Sequence, residues 1–88
     1  MFGLTSQTRR AAVSVASNIV EGCGRDSTAE FGRFLSIAYA SAKELQYQIS
    51  LARRLDFMEE KRASAVELEC DELCRMLNTL MRKLRIDN

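Results

Sequence analysis

The chain has 88 residues, of which 47% are hydrophobic, and its formal net charge at pH 7 is +1. This length allows one domain, over residues 1–88, and so small a charge does not by itself indicate a nucleic-acid partner. The sequence has no run near the roughly 18 apolar residues of a membrane span and no secretory signal, so we expect a cytoplasmic protein without a membrane partner. Because proline is absent and only four glycines are present, long helices are favoured.

The first predicted helix spans residues 6–22 and has an unusually wide apolar surface. Its apolar side chains cover roughly 200° of the circumference, about twice the arc that a helix on a protein surface needs. The opposite side carries a narrow polar stripe at spacings of three and four: Gln7, Arg10, Ser14, Asn18 and Glu21. We expect this stripe to form a hydrogen-bonded contact that fixes the helix register, and an active groove is the alternative interpretation.

The end of this helix and one of its arginines carry two further predictions. Gly22 and Gly24 are predicted to close the helix, because glycine tolerates the left-handed conformation found just past a helix end. Arg9 falls inside the apolar arc, so its guanidinium either reaches water or meets a carboxylate from a neighbour. Our hypothesis for Arg9 is an ion pair across a subunit interface.

The second predicted helix begins at a capping box, Ser27-Thr28-Ala29-Glu30, and runs to about Leu55. Its apolar residues recur at spacings of three and four, the seam of an antiparallel bundle: Phe31, Leu35, Ala38, Ala42, Leu45, Ile49 and Ala52. A short break at residues 56–58 makes the third helix, from about Glu59 to Leu84, an antiparallel neighbour. The third helix repeats this spacing: Ala63, Val66, Cys70, Leu73, Leu77, Leu80 and Leu84. The predicted fold class is therefore an all-α, antiparallel up-and-down helical bundle.

The apolar faces of these three helices are wider than one closed monomer covers. At about 25 cal/mol per Å², leaving even roughly 400 Å² of apolar surface in water forgoes about 10 kcal/mol of burial. We therefore expect the chain to be its own partner in a symmetric homo-oligomer.

The residues that could carry chemistry indicate no enzyme. Three cysteines are an odd number, which favours reduced thiols over disulfides. Cys70 and Cys74 share a helix face and could supply half of a thiolate metal site, but no histidine or second cysteine pair completes it, so we interpret both as structural thiols. Without histidine, the catalytic candidates are carboxylates such as Glu21, for which we favour a structural role. We predict no catalytic residues, no metal and no cofactor.

The outer side of the second helix is the candidate binding surface. Four of its residues fall within about 80° of one another, away from the apolar seam: Arg33, Lys43, Tyr47 and Arg54. With Arg25 in the preceding loop, they combine cations with an aromatic ring, as contact with RNA or DNA phosphates and base stacking requires. The alternative is an ordinary solvated face, since Glu44 lies beside them, on a scaffold that binds another protein and no nucleic acid.

A longer pattern resembles the 23S ribosomal RNA intervening-sequence proteins, also called four-helix-bundle proteins. The resemblance covers nearly the whole chain. In the first helix the matching residues are Gln7, Arg9, Arg10, Ala11, Ser14, Ser17, Asn18, Ile19, Glu21 and Gly22. Further along, the matching residues are Glu30, Phe31, Phe34, Leu35, Glu44, Leu45, Gln48, Arg75, Met76, Leu77 and Leu80.

The resemblance implies a four-helix, up-and-down bundle that assembles as a homopentamer and has no enzymatic activity. Proteins of this family carry a further N-terminal helix ahead of the stretch that matches residues 2–5, and this sequence shows no counterpart of that helix. Three helices are therefore expected here. The resemblance also implies that the motif residues Gln7, Arg9, Arg10, Ser14, Asn18, Glu21 and Gly22 are structural.

Overall fold

The computed structural model describes residues 2–87, which form three α-helices and contain no strand. The helices are α1 (Phe2–Cys23), α2 (Thr28–Arg54) and α3 (Glu60–Asp87). The prediction of an all-α helical bundle is confirmed, and the helix boundaries differ from the predicted ones by a few residues. The largest difference is that α1 begins at Phe2, because no residue between Phe2 and Ser6 interrupts the helical pattern.

The two ends of α2 are fixed by local hydrogen bonds. At its start, Ser27 is the N-cap, and its Oγ accepts from the backbone N–H of Glu30 at 3.1 Å. At its end, the backbone N–H of Phe57 donates to the carbonyl of Ala52 at 2.8 Å, a bond that closes a Schellman-type turn. Asp56 occupies the left-handed position of this turn, with φ of 61°. The break between the last two helices is therefore a defined turn.

The helix α2 lies in the middle of a thin layer. Both α1 and α3 pack against α2, whereas no Cα atoms of α1 and α3 come within 8 Å of each other in the described range. The Cα atoms extend over 45 × 21 × 13 Å. The central core therefore combines side chains from all three helices around α2: Val15, Leu35, Ala38, Ala42, Cys74 and Leu77.

Burial along α3 departs from the predicted seam at two positions. Leu80 is 38% exposed, although it was expected inside, and Cys74, outside the predicted seam, is buried. The reason is that only α2 covers α3. The side chains of Cys70, Cys74 and Leu77 meet α2, whereas Leu80 lies on the side of α3 that faces no other helix.

Apolar side chains on both outer helices remain exposed in the single chain. On α1 these are Val13 and Val20, and on α3 they are Leu68 and Met76, all more than 60% exposed. The predicted wide apolar surface of the first helix is therefore present and is only partly covered by α2.

Gly22 corrects the prediction of a left-handed closing residue. Among the described glycines none has a positive φ, and Gly22 is buried inside α1. A Cβ atom at this position would lie 2.9 Å from Cδ1 of Phe31 and 3.0 Å from Cβ of Phe34. The glycine is needed because α1 and α2 approach each other closely here.

Candidate nucleic-acid interface

The outer face of α2 is open to solvent, because α1 and α3 pack on its other sides. Arg33, Lys43, Tyr47 and Arg54 are all exposed there, and we call these four residues the α2 outer face. At 1.5 Å per residue, its first and last residues are about 30 Å apart along the helix axis, with Lys43 roughly halfway. The Tyr47 side chain is 60% exposed. The structure therefore brings these four predicted residues onto one accessible surface.

The cations of the α2 outer face have no ion-pair partner among the residues that the structure describes. In the described range, no carboxylate oxygen lies within 4.0 Å of the charged nitrogens of Arg33, Lys43 or Arg54. Lys43 Nζ donates a long hydrogen bond, 3.4 Å, to Oε1 of Gln46. These charges are available to an anionic partner.

Arg25 joins this surface through an aromatic ring. Its guanidinium carbon lies 5.1 Å from the centroid of the Phe34 ring, and that of Arg33 lies 5.4 Å from the same centroid. Arg25 also pairs with Glu21, with 2.9 Å between Nη2 and Oε1. Phe34 therefore holds two cations at one end of the α2 outer face by cation–π contacts. Sequence reasoning did not assign Phe34 this role, although its position next to Arg33 was a signal.

The polar stripe of α1 contacts α2 at one point. Ser14 Oγ and Ser41 Oγ are 2.7 Å apart, and Nδ2 of Asn18 donates to the Ser14 carbonyl at 2.8 Å. Arg10 instead donates to Oγ of Ser6 within α1, at 3.3 Å. The interhelical hydrogen bond of the stripe is thus made by Ser14, with Asn18 supporting it.

The remaining motif residue, Arg9, has an exposed side chain and lies beside a cavity at the other edge of α1. None of the ion pairs among the described residues involves it. Its position is compatible with contact to a second chain, and the intersubunit ion pair stays a prediction.

A cavity of about 450 Å³, which we call the α1–α2 cavity, opens beside Tyr47. The sequence alone did not predict this cavity, because its two walls come from α1 and α2, whose contact depends on the tertiary structure. One of its lining residues, Gln48, is 6% exposed, and its Nε2 donates to Glu44 Oε1 at 3.3 Å. The Oε1 atom of Gln48 is buried without a partner. The lining residues are Leu4, Gln7, Arg10, Glu44, Tyr47, Gln48 and Leu51.

The cysteines show no arrangement for catalysis or metal binding. Cys70 and Cys74 are buried free thiols, and burial raises the pKa of both above its ordinary value. A raised pKa keeps them protonated and poorly nucleophilic at neutral pH. Within residues 2–87, no group of three or more Cys, Asp or Glu side chains is arranged to hold a metal ion. Glu21 is exposed and paired with Arg25.

Comparisons with known proteins identify the family. The model of the 23S rRNA-intervening sequence protein matches residues 1–79. The fold is similar to the crystal structure of a protein of unknown function from the S23 ribosomal protein family of Bacteroides thetaiotaomicron. The TM-score is 0.89 and the sequence identity 25%, over 92% of this chain and 75% of that chain. No curated protein matches the sequence. In the described range no helix is long and apolar enough to cross a membrane. By the family match, the chain belongs to the 23S rRNA-intervening sequence proteins.

Proposed function

We propose that this protein is a non-enzymatic homo-oligomer that acts as a nucleic-acid-associated adaptor. It binds structured RNA through the α2 outer face, with Arg25 at one end. The observation that carries this proposal is a line of three cations that have no carboxylate partner in the described part of the chain, with an exposed tyrosine between them. Lysine and arginine neutralise phosphates and release counterions, and an exposed aromatic ring can stack on an unpaired base.

The arrangement of charge explains how a chain of net charge +1 can present a basic surface. Acidic residues are concentrated just before α3 and in its first half: Glu59, Glu60, Glu67, Glu69, Asp71 and Glu72. Two of them, Glu60 and Glu67, pair with Arg53, at 3.5 and 3.3 Å. Among the described residues, none of the three cations of the α2 outer face forms an ion pair with these carboxylates. The local field at this face is therefore more positive than the net charge indicates.

Self-association is the second part of the proposal. Apolar side chains remain exposed on both α1 and α3, among them Val20 and Met76, and a second copy can bury them. The family resemblance favours a homopentamer, in which five α2 outer faces would be repeated around an axis. Light scattering coupled to size-exclusion chromatography tests this part, and a monomer at all concentrations would refute it.

The nucleic-acid part is tested by titrating the purified protein against labelled structured RNA and duplex DNA at two salt concentrations. The variant Arg33→Ala/Lys43→Ala/Arg54→Ala removes the three cations. We expect binding to weaken steeply with salt, and the slope of log K against log salt to fall by about 2–3 in the variant. No binding at low salt contradicts the nucleic-acid proposal.

A matched control keeps the same change of net charge but moves it to α3. Arg75→Ala/Arg82→Ala/Lys83→Ala removes three exposed cations that lie outside the α2 outer face. We expect this control to retain most of the affinity. If both triple variants lose affinity equally, binding depends on net charge and the α2 outer face is not the site.

The alternative is a scaffold that binds another protein and no nucleic acid. It is favoured by the apolar side chains left exposed on α1 and α3, such as Val13 and Leu68. An apolar contact between proteins does not weaken steeply with added salt, whereas binding to phosphates does. The salt dependence of the affinity for the partner therefore separates the two functions.

A further inference from the structure

The α1–α2 cavity adjoins the α2 outer face through Tyr47, which belongs to both. Its volume of about 450 Å³ lies in the range of small-molecule sites and exceeds what one nucleobase needs. Leucines form its apolar walls, and a carboxylate, a guanidinium and two amides supply polar groups. Such a mixture suits a flat molecule with an apolar face and hydrogen-bonding edges.

The polar groups of the cavity are only partly satisfied within the chain. Arg10 makes one long bond to Ser6, 3.3 Å, which leaves most of its five N–H donors unused. Glu44 accepts one bond, from Nε2 of Gln48 at 3.3 Å, which leaves further lone pairs of its carboxylate open. Arg10 and Glu44 are both exposed, so their remaining donors and acceptors are open to a ligand that has acceptors at one edge and donors at the other.

We propose that the α1–α2 cavity binds an unpaired guanine of the nucleic acid held on the α2 outer face. This inference rests on the proposed function. Guanine alone among the four bases presents two adjacent donors, N1–H and the 2-amino group, to a single carboxylate such as Glu44. Adenine, cytosine and uracil each place an acceptor next to their donor, and that acceptor is repelled by a carboxylate. Guanine O6 and N7 then accept from the Arg10 guanidinium.

The neighbouring side chains hold the rest of the nucleotide. The exposed Tyr47 ring stacks on the base, as aromatic residues do in proteins that read single-stranded loops. Lys43 lies one helical turn before Tyr47 and Arg54 two turns after it, so cations flank the stacked base on both sides. The role of Glu44 explains why a carboxylate lies beside a surface that binds phosphates.

The test measures the affinity of the protein for labelled seven-residue RNAs that differ only at the central base. The RNAs are all-uridine except for guanine, adenine, cytosine, uracil or hypoxanthine at the centre. We expect guanine to bind about tenfold more tightly than adenine. Hypoxanthine, which lacks the 2-amino group, is expected in between. Glu44→Gln should abolish the guanine preference without weakening all-uridine binding, because the amide offers one acceptor where the carboxylate offers two.

Glu69→Gln is the matched control, since it removes the same charge from an exposed position of α3. It should keep the guanine preference, and circular dichroism should show both variants fully helical. Equal, salt-sensitive binding of all five RNAs overturns the guanine site and leaves the proposed function standing. A guanine preference that survives Glu44→Gln overturns the assignment to this cavity. Failure of every heptamer to bind at low salt, under conditions where structured RNA binds, also overturns the guanine site; failure of the structured RNA as well refutes the proposed function itself.

Discussion

The contact between Gly22 and the phenylalanines of α2 gives the sharpest test of the packing. In a helix interior, Gly→Ala stabilises by about 1 kcal/mol when the new methyl group has room. At Gly22 it has none. The added Cβ would lie 3.0 Å from Cβ of Phe34, an atom attached directly to the α2 backbone, so no side-chain rotation relieves the overlap. Overpacking of this kind costs about 1–3 kcal/mol. We therefore expect Gly22→Ala to lower the free energy of unfolding by about 1 kcal/mol.

Gly32 provides the matched control within α2. A Cβ at Gly32 has no atom within 4 Å, so Gly32→Ala should raise the free energy of unfolding by about 1 kcal/mol. The two alanine variants should therefore differ by about 2 kcal/mol, roughly 8–16 °C in Tm for a domain of this size. Urea unfolding followed by circular dichroism, at one fixed protein concentration, measures this difference. Equal stability of the two variants would refute the close approach of α1 and α2 at Gly22.

Three further predictions concern stability. Ser14→Ala should lower the free energy of unfolding by about 1 kcal/mol, because it removes the 2.7 Å hydrogen bond to Ser41. Adding Ser41→Ala should lower it little further, and urea unfolding of the single and double variants measures both effects. Asp56→Gly should raise Tm by a few degrees in a thermal melt, about 0.5–1 kcal/mol, because glycine adopts φ of 61° without strain; an unchanged or lower Tm would contradict this. Burial raises the pKa of the Cys70 and Cys74 thiols in the folded chain, so the unfolded chain ionises first as the pH rises. The stability that the folded chain draws from these thiols is therefore complete below the thiol pKa of the unfolded chain, about 8.5, and is lost as the pH rises above it. Between pH 7.5 and 9.5, the free energy of unfolding should fall less in Cys70→Ala/Cys74→Ala than in the unchanged chain. An equal fall in both proteins would contradict the role of the two thiols.

The sequence carried most of the information on the helices, because local rules determine them. The cap at Ser27 and the three-and-four spacing of Leu35, Ala38 and Ala42 needed no knowledge of the fold. The α2 outer face could likewise be predicted, since the four side chains lie on one helix and their angular positions follow from the helix period.

What could not be predicted depends on how helices meet. The burial of Cys74 and the exposure of Leu80 follow from the side of α3 that turns toward α2, which periodicity does not specify to within one residue. The role of Gly22 required knowing that Phe34 packs against it from another helix. The α1–α2 cavity combines Arg10 with Glu44, two residues far apart in the sequence, and no local pattern links them.

The central position of α2 also determines how the chain folds and opens. In the described range, close backbone approach occurs only between helices next to each other in the sequence, so the chain is two helical hairpins that share α2. Such local topology has a low contact order, and helical domains of this kind fold in microseconds to milliseconds. Within one chain, α1 can detach while the hairpin of α2 and α3 stays paired, so amide hydrogens of α1 should exchange through an opening that leaves α3 protected. A movement of α1 therefore acts on α2, the helix that also carries the proposed binding face, before it reaches the backbone of α3.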